Sequence, residues 1–224
     1  MQAQLARVLV VVIALLASSA VARANEQQQI VDRARITVEA LADPRAFPDL
    51  PLYIKNAYGL VIVPQLVRGG FILGAQFGVG VLLVRDVQSG AWSDPVFVTL
   101  AGGSIGLQIG GETSELLLTL MNEGAVQKIL DNNFKLGATV SGALGPVGAR
   151  MGAGTTLRFG EDVYIFARNM GLFAGVTFEG TVIAPRHDWN ERYYGRKVTP
   201  KEIIAGKVAN RGARALKQAL ARFR

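Results

Sequence analysis

Acid–base catalysis of the glycosidase type needs two carboxylates held a fixed distance apart. Nothing in the spacing of Glu112, Glu115, Glu161, Asp162 and Glu179 joins any two into such a dyad. The chain has one histidine, His187, and no cysteine. A Ser-His-Asp relay, a thiolate nucleophile and a His/Cys metal cage are therefore hard or impossible to build. His187 reads as a loop residue. The phosphate cradle G-x-x-x-x-G-K-[ST], the zinc helix H-E-x-x-H and the nucleophile elbow G-x-S-x-G are missing. Gly102-Gly103-Ser104-Ile105-Gly106 lacks nucleotide-binding spacing. The chain reads as non-enzymatic, without catalytic residues, cofactor or metal. A lipid- or glycan-directed enzyme working through Glu179 is the minor alternative.

Two groups of residues could still make contacts. The first is polar: Gln76, Gln108, Ser141, Thr177 and Glu179 fall on the glycine- and hydroxyl-bearing side of extended segments. They form a candidate patch on a sheet face, or are satisfied by neighbouring backbone. The second is basic: Lys207, Arg211, Arg214, Lys217 and Arg222 gather on one side of a helical wheel. Val208, Ala215, Leu216, Ala219, Leu220 and Phe223 take the opposite side, and Glu202 is the last acid. Thr199 as N-cap and Pro200 in the first turn start this helix, which should run over about 199–224. A basic amphipathic helix can lie on an anionic bilayer. The other reading packs it on a sheet with its basic face in water. The formal charge of +7 suits an anionic surface.

These side chains need strands to carry them. Successive side chains of a strand point to opposite faces. In 172–183 one set is Leu172, Ala174, Val176, Phe178, Gly180 and Val182, and the other contains Thr177, Glu179 and Thr181. In 71–84 the odd positions are all apolar, from Phe71 to Leu83, while the even ones include Gly74, Gln76, Gly78 and Gly80. Ile105, Leu107 and Ile109 repeat the contrast against Ser104, Gly106, Gln108 and Gly110, as does 135–144. A short buried strand over 60–63 is expected to stop at Pro64, with Gly69-Gly70 as a turn. Residues 112–121 read as a strand, although their periodicity fits a helix too. Another strand covers 163–168, and 145–154 reads as a loop or bulged hairpin.

Helices are expected over 27–41, in one or two turns over 52–57, and over 122–130 with Asn122 as N-cap. Glycine weakens a strand, so its repetition on one face implies curvature, bulges or a close backbone approach. The expected class is α+β. One strongly curved, glycine-rich antiparallel sheet or partly closed barrel should carry helices at the N-terminus, middle and C-terminus.

Residues 1–24 read as a signal peptide: Arg7, the apolar run Val8 to Leu16, then Ala22-Arg23-Ala24 as the cleavage pattern. The run is short for a membrane span. Residues 25–224 then form a single domain. No cysteine follows the apolar run, which excludes a cysteine-acylated lipoprotein. The expected place is the periplasm or outer envelope, with peripheral membrane association, and nucleic acid is not an expected partner.

Several ordered stretches resemble the SYLF domain, a lipid-binding family also described as actin-binding in fungal cortical-patch proteins. They are Gly59-Leu60-Val61-Ile62, Gly70-Phe71 through Gly78-Val79-Gly80-Val81, and Trp92-Ser93-Asp94-Pro95. Gln108-Ile109-Gly110-Gly111-Glu112, Leu144-Gly145-Pro146-Val147-Gly148, Gly171-Leu172-Phe173-Ala174-Gly175-Val176 through Glu179-Gly180, and Tyr194-Gly195 follow. The resemblance covers roughly residues 30–208. It implies binding to membrane phospholipid, phosphoinositides being the ligands of eukaryotic members through a basic N-terminal segment. Here 27–41 carries Asp32, Arg33, Arg35 and Glu39 in balance. The expected partner is an anionic phospholipid or membrane surface. Export makes actin an unlikely partner, and an envelope protein partner is the alternative.

Overall fold

A computed structural model of the chain describes residues 26–132, 134–136, 155–159, 163–170 and 180–223. The expected signal peptide, Glu161, Asp162, Ser141, Thr177, Glu179, most of the 172–183 and 135–144 segments and the loop or hairpin expected over 145–154 lie outside these residues. So do the side chains of Gln108 and Glu112.

The strands are β1 (Gly59–Val84), β2 (Val96–Leu120), β3 (Phe134–Leu136), β4 (Thr155–Phe159), β5 (Val163–Met170) and β6 (Thr181–Pro185). Among the described residues they form one six-stranded sheet whose pairings are all antiparallel. β2 is its spine. One edge pairs with β1 from Gly59↔Leu120 to Leu82↔Val96. The other edge holds β5 at one end, Thr113↔Met170 to Leu120↔Val163, and β6 at the other, Val98↔Pro185 to Ala101↔Val182. β4 extends β5 and β3 extends β6. The sheet curls into a half-barrel, the expected α+β architecture.

β1 shows why it curls. A Cβ on Gly80 would collide with the backbone carbonyl oxygen of Ile62, and one on Gly78 would come within 2.7 Å of Val63 Cγ1 and 2.9 Å of the Gln65 carbonyl oxygen. The far half of β1 crosses its own near half, and glycine is what lets the backbones touch. Pro64 does not end the strand, and Gly69-Gly70 is not a turn. β1 runs through both, with Gly69↔Gly111 and Gly70↔Gly110 in register. Pro64 sits instead in a register shift between Val63 and Leu66, a position where a missing N–H is tolerated. Residues 112–120 are strand.

That shift also exchanges the two faces. Before it, Val61 and Val63 face the inner cluster, while Leu60 and Ile62 face an outer one. After it, the even positions Leu66, Arg68, Gln76, Gly78, Gly80 and Leu82 are buried. Gln65, Val67, Gly69, Ala75 and Phe77 are exposed. The apolar odd set of 71–84 was expected to be the packed face. At 75–77 the order is reversed, with Phe77 53% exposed and Gln76 2%. Among the described side chains of the odd set, Val81 and Leu83 are the ones that are buried.

Helix α1 (26–41) supplies that cover with Val31, Ala34, Val38 and Leu41, joined by α2 (Leu50–Asn56) through Leu50 and Ile54. α3 (Glu123–Leu130) closes the inner cluster with Ala125, Val126 and Ile129. Its N-cap is Asn122, whose Oδ1 accepts from the Ala125 N–H at 2.8 Å. α4 (His187–Tyr194), α5 (Pro200–Ile204), a 3₁₀ turn (Arg211–Ala213) and α6 (Arg214–Ala221) complete the chain.

The single helix expected over 199–224 is thus replaced by shorter pieces. Gly206 has φ +71, a left-handed conformation that ends the first piece just after α5. Asn210 then starts the next, its Oδ1 accepting from the Gly212 N–H. The start is as expected: Thr199 and Glu202 form a reciprocal capping box with Pro200 in the first turn.

Candidate functional site

Of the polar patch, Gln76 is the member whose side chain is described, and it is internal. Its Oε1 accepts from Arg68 Nη2 at 2.8 Å, and its Nε2 donates to Thr181 Oγ1 at 2.5 Å. Arg68 is 5% exposed and Thr181 is fully buried. The three side chains tie β1 to β6 across β2, whose Gly102 leaves them room: a Cβ there would lie 2.7 Å from Thr181 Oγ1. A buried amide must be satisfied or it costs desolvation energy, and this one is. The arrangement holds strands together and offers no open polar surface at Gln76. Sequence reading missed Arg68 and Thr181. The available signal was the even parity that Arg68 shares with Gln76.

Glu115, considered as a catalytic acid, is bound up too. Arg168 Nε donates to its Oε2 at 2.8 Å, and the Thr37 hydroxyl donates to its Oε1 at 3.3 Å. The carboxylate links β2, β5 and α1, which is a structural duty. His187 is the exposed first residue of α4. Among the described residues, no group of His, Cys, Asp and Glu could hold a metal ion.

The C-terminal residues divide as the wheel suggested except at Ala215, which is exposed, and the bulky residues of their apolar side are already used. Leu216, Ala219 and Leu220 are buried, Leu216 and Leu220 in the outer cluster with Phe223 packed beside them. Lys207, Arg211, Arg214 and Arg222 are exposed. Lys217 differs: its Nζ lies 3.1 Å from Asp94 Oδ2, and it is half-buried. Asp94 also accepts from the Asn210 N–H at 3.3 Å, so one carboxylate clasps the end of the chain to the β1–β2 connection. Nearby, burial and then the Asp94 charge push the Tyr193 phenol well above its ordinary range. The Tyr194 hydroxyl donates to the Pro95 carbonyl at 2.8 Å. The result is a firmly seated segment whose outward side is positive. Such a face can make electrostatic contacts without inserting its apolar residues.

Among the described residues no helix is long and apolar enough to cross a membrane.

The family model described as "Ysc84: Las17-binding protein actin regulator" matches residues 101–223. Protein YSC84 of Saccharomyces cerevisiae is 34% identical over 161 residues, which is 70% of this chain and 34% of that protein. LAS seventeen-binding protein 3 of the same yeast is 32% identical over 161 residues, 70% of this chain and 35% of that protein. SH3 domain-containing YSC84-like protein 1 of Xenopus laevis is 32% identical over 160 residues, 70% of this chain and 47% of that protein. The chain spans roughly a third to a half of the length of these relatives. No solved structure matches. The family is described as a regulator and not by an enzymatic activity. With more than half of its length matched, including most of β2, all of β5 and β6 and the clasped C-terminal segment, the chain belongs to the Ysc84 family.

Proposed function

We propose that the chain is a non-enzymatic binding module that docks on anionic phospholipid membranes, as a peripheral protein of the cell envelope. The observation that carries this reading is the outward set Lys207, Arg211, Arg214 and Arg222, with no acid after Glu202 and the apolar partners of the same segment held in the core. Each cation near an anionic surface contributes about 1 kcal/mol, and the effect decays within a Debye length. Docking of this kind is electrostatic and salt-sensitive.

Flotation with vesicles of phosphatidylcholine, with and without phosphatidylglycerol, tests it. The protein should float with the anionic vesicles alone and be released by roughly 0.5 M salt. Equal recovery with neutral vesicles would reject the electrostatic contact. Replacing Lys207, Arg211, Arg214 and Arg222 by Gln is a better probe than truncation, because truncation would strip Leu216 and Leu220 from the core.

A protein partner is the second reading, favoured by the family's description as a Las17-binding actin regulator. The expectation against actin rested on export alone, so actin filaments belong among the partners to be assayed. A stoichiometric protein adduct on crosslinking in intact envelopes, with no vesicle flotation, would select this second reading.

A further inference from the structure

A cleft of about 600 Å³ opens between the β1–β2 connection, α3 and α5. Its floor is apolar: Val84, Trp92, Val126, Leu130 and Ile204. Trp92 and Val126 are each 5% exposed, so they form walls and not loose side chains. Tyr58 and Val87 line the same cleft, and Val87 is 71% exposed.

The charged residues of the lining represent both signs equally: Arg85, Lys201 and Lys217 against Asp86, Asp94 and Glu123. Five of the six are held in place. The Arg85 guanidinium lies 5.8 Å from the Trp92 ring centroid and donates to the Lys55 carbonyl. Lys201 Nζ is 3.2 Å from Asp131, and Lys217 Nζ is 3.1 Å from Asp94. Asp86 accepts from the N–H and hydroxyl of Ser89. Glu123 is exposed at the first turn of α3.

The size and apolar floor are those of a small-molecule site. The charges select the headgroup. A simple anion would meet carboxylates, and a simple cation would meet Arg85 and the lysines. A headgroup carrying both signs satisfies the rim, and an alkyl tail satisfies the floor. We propose that this cleft takes a single-chain zwitterionic amphiphile, its tail against Trp92, Val126 and Ile204 and its headgroup across the mixed-charge mouth. The site is distinct from the exposed basic face and does not depend on membrane docking there.

The full chain carrying Trp189→Phe leaves Trp92 as its lone tryptophan reporter. Dodecylphosphocholine, titrated below its micelle concentration, should produce a saturable shift in Trp92 emission. Dodecanoate and dodecyltrimethylammonium, of matched chain length, should bind about tenfold more weakly. Ala205→Phe places a ring in the cleft from the exposed end of α5, leaves Trp92 as the lone tryptophan, and should weaken binding by about tenfold or more. Glu123→Lys, an exposed change that leaves the fold intact, should weaken dodecylphosphocholine and strengthen dodecanoate. Gln at Lys207, Arg211, Arg214 and Arg222 should leave the titration unchanged while abolishing vesicle flotation, so the two sites are scored separately. Absence of a saturable Trp92 response would overturn the proposal. So would wild-type affinity in Ala205→Phe, or equal affinity for all three amphiphiles and no response to Glu123→Lys.

Discussion

Asp94 and Lys217 are 3.1 Å apart, although 123 positions separate them in the chain. The carboxylate is nearly buried and also accepts the Asn210 N–H, whereas the lysine is about one-third exposed. The two ends of this pair should therefore contribute unequally. Asp94→Ala should cost about 1–3 kcal/mol, because it leaves a backbone donor and an ammonium without their acceptor. Lys217→Ala should cost at most about 1 kcal/mol, since water screens the ammonium. Urea denaturation of both variants and the double variant checks this, and equal losses would refute the assignment of Asp94 as the clasp.

The buried link through Gln76 makes a second prediction. Gln76→Ala removes the acceptor for Arg68 and the donor for Thr181, and should lower stability by about 1–3 kcal/mol. A residue on a solvated patch would change it by less than about 0.5 kcal/mol. Chemical denaturation separates these values cleanly.

Glycines offer an internal comparison. Gly80→Ala should destabilise strongly, by about 3 kcal/mol or more, because the new methyl meets the Ile62 backbone and no side chain can swing aside. Gly69→Ala meets nothing within 4 Å and should be close to neutral. Thermal melts of the pair would disprove the crossing of β1 over itself if both behaved alike.

Acid sensitivity has an assignable source in the capping box of α5. The Glu202 carboxyl is held below its ordinary range, first by the Thr199 N–H and then by the Thr199 hydroxyl. Its folded pKa lies below its unfolded one, so over that interval the folded state binds fewer protons. Stability from this group is complete above the ordinary value of 4.5 and is lost as pH falls through the lower folded value. Glu202→Gln should flatten the fall in melting temperature between about pH 6 and 3. A wild-type acid limb in that variant would place the sensitivity elsewhere.

Local features were readable in the sequence because their causes are local. Asn122 and Thr199 cap helices through atoms within three residues of themselves, and both behave as their types suggest. The curled glycine-rich sheet was legible too, since a glycine such as Gly80 inside a strand demands a close approach. The orientation of β1 was not legible, because it depends on the pairing of Val63 and Leu66 with β2. Alternation alone assigned Phe77 inward and left Gln76 open, and Arg68 drew no notice. The lysines and arginines near the C-terminus were visible on a wheel. What the wheel could not show is that Gly206 would divide the helix and that Leu216 and Leu220 already had a home.

The irregularity around Pro64 has a consequence beyond the shape of β1. Were the chain paired residue for residue through that point, with none set aside, strict two-residue counting would run on along the ribbon. Val67 and Phe77 would then turn toward the interior, and Arg68 and Gln76 would be delivered to water. The extra residue works as a frame-setter: it makes a chain with oil and amide on opposite sides bury the amide.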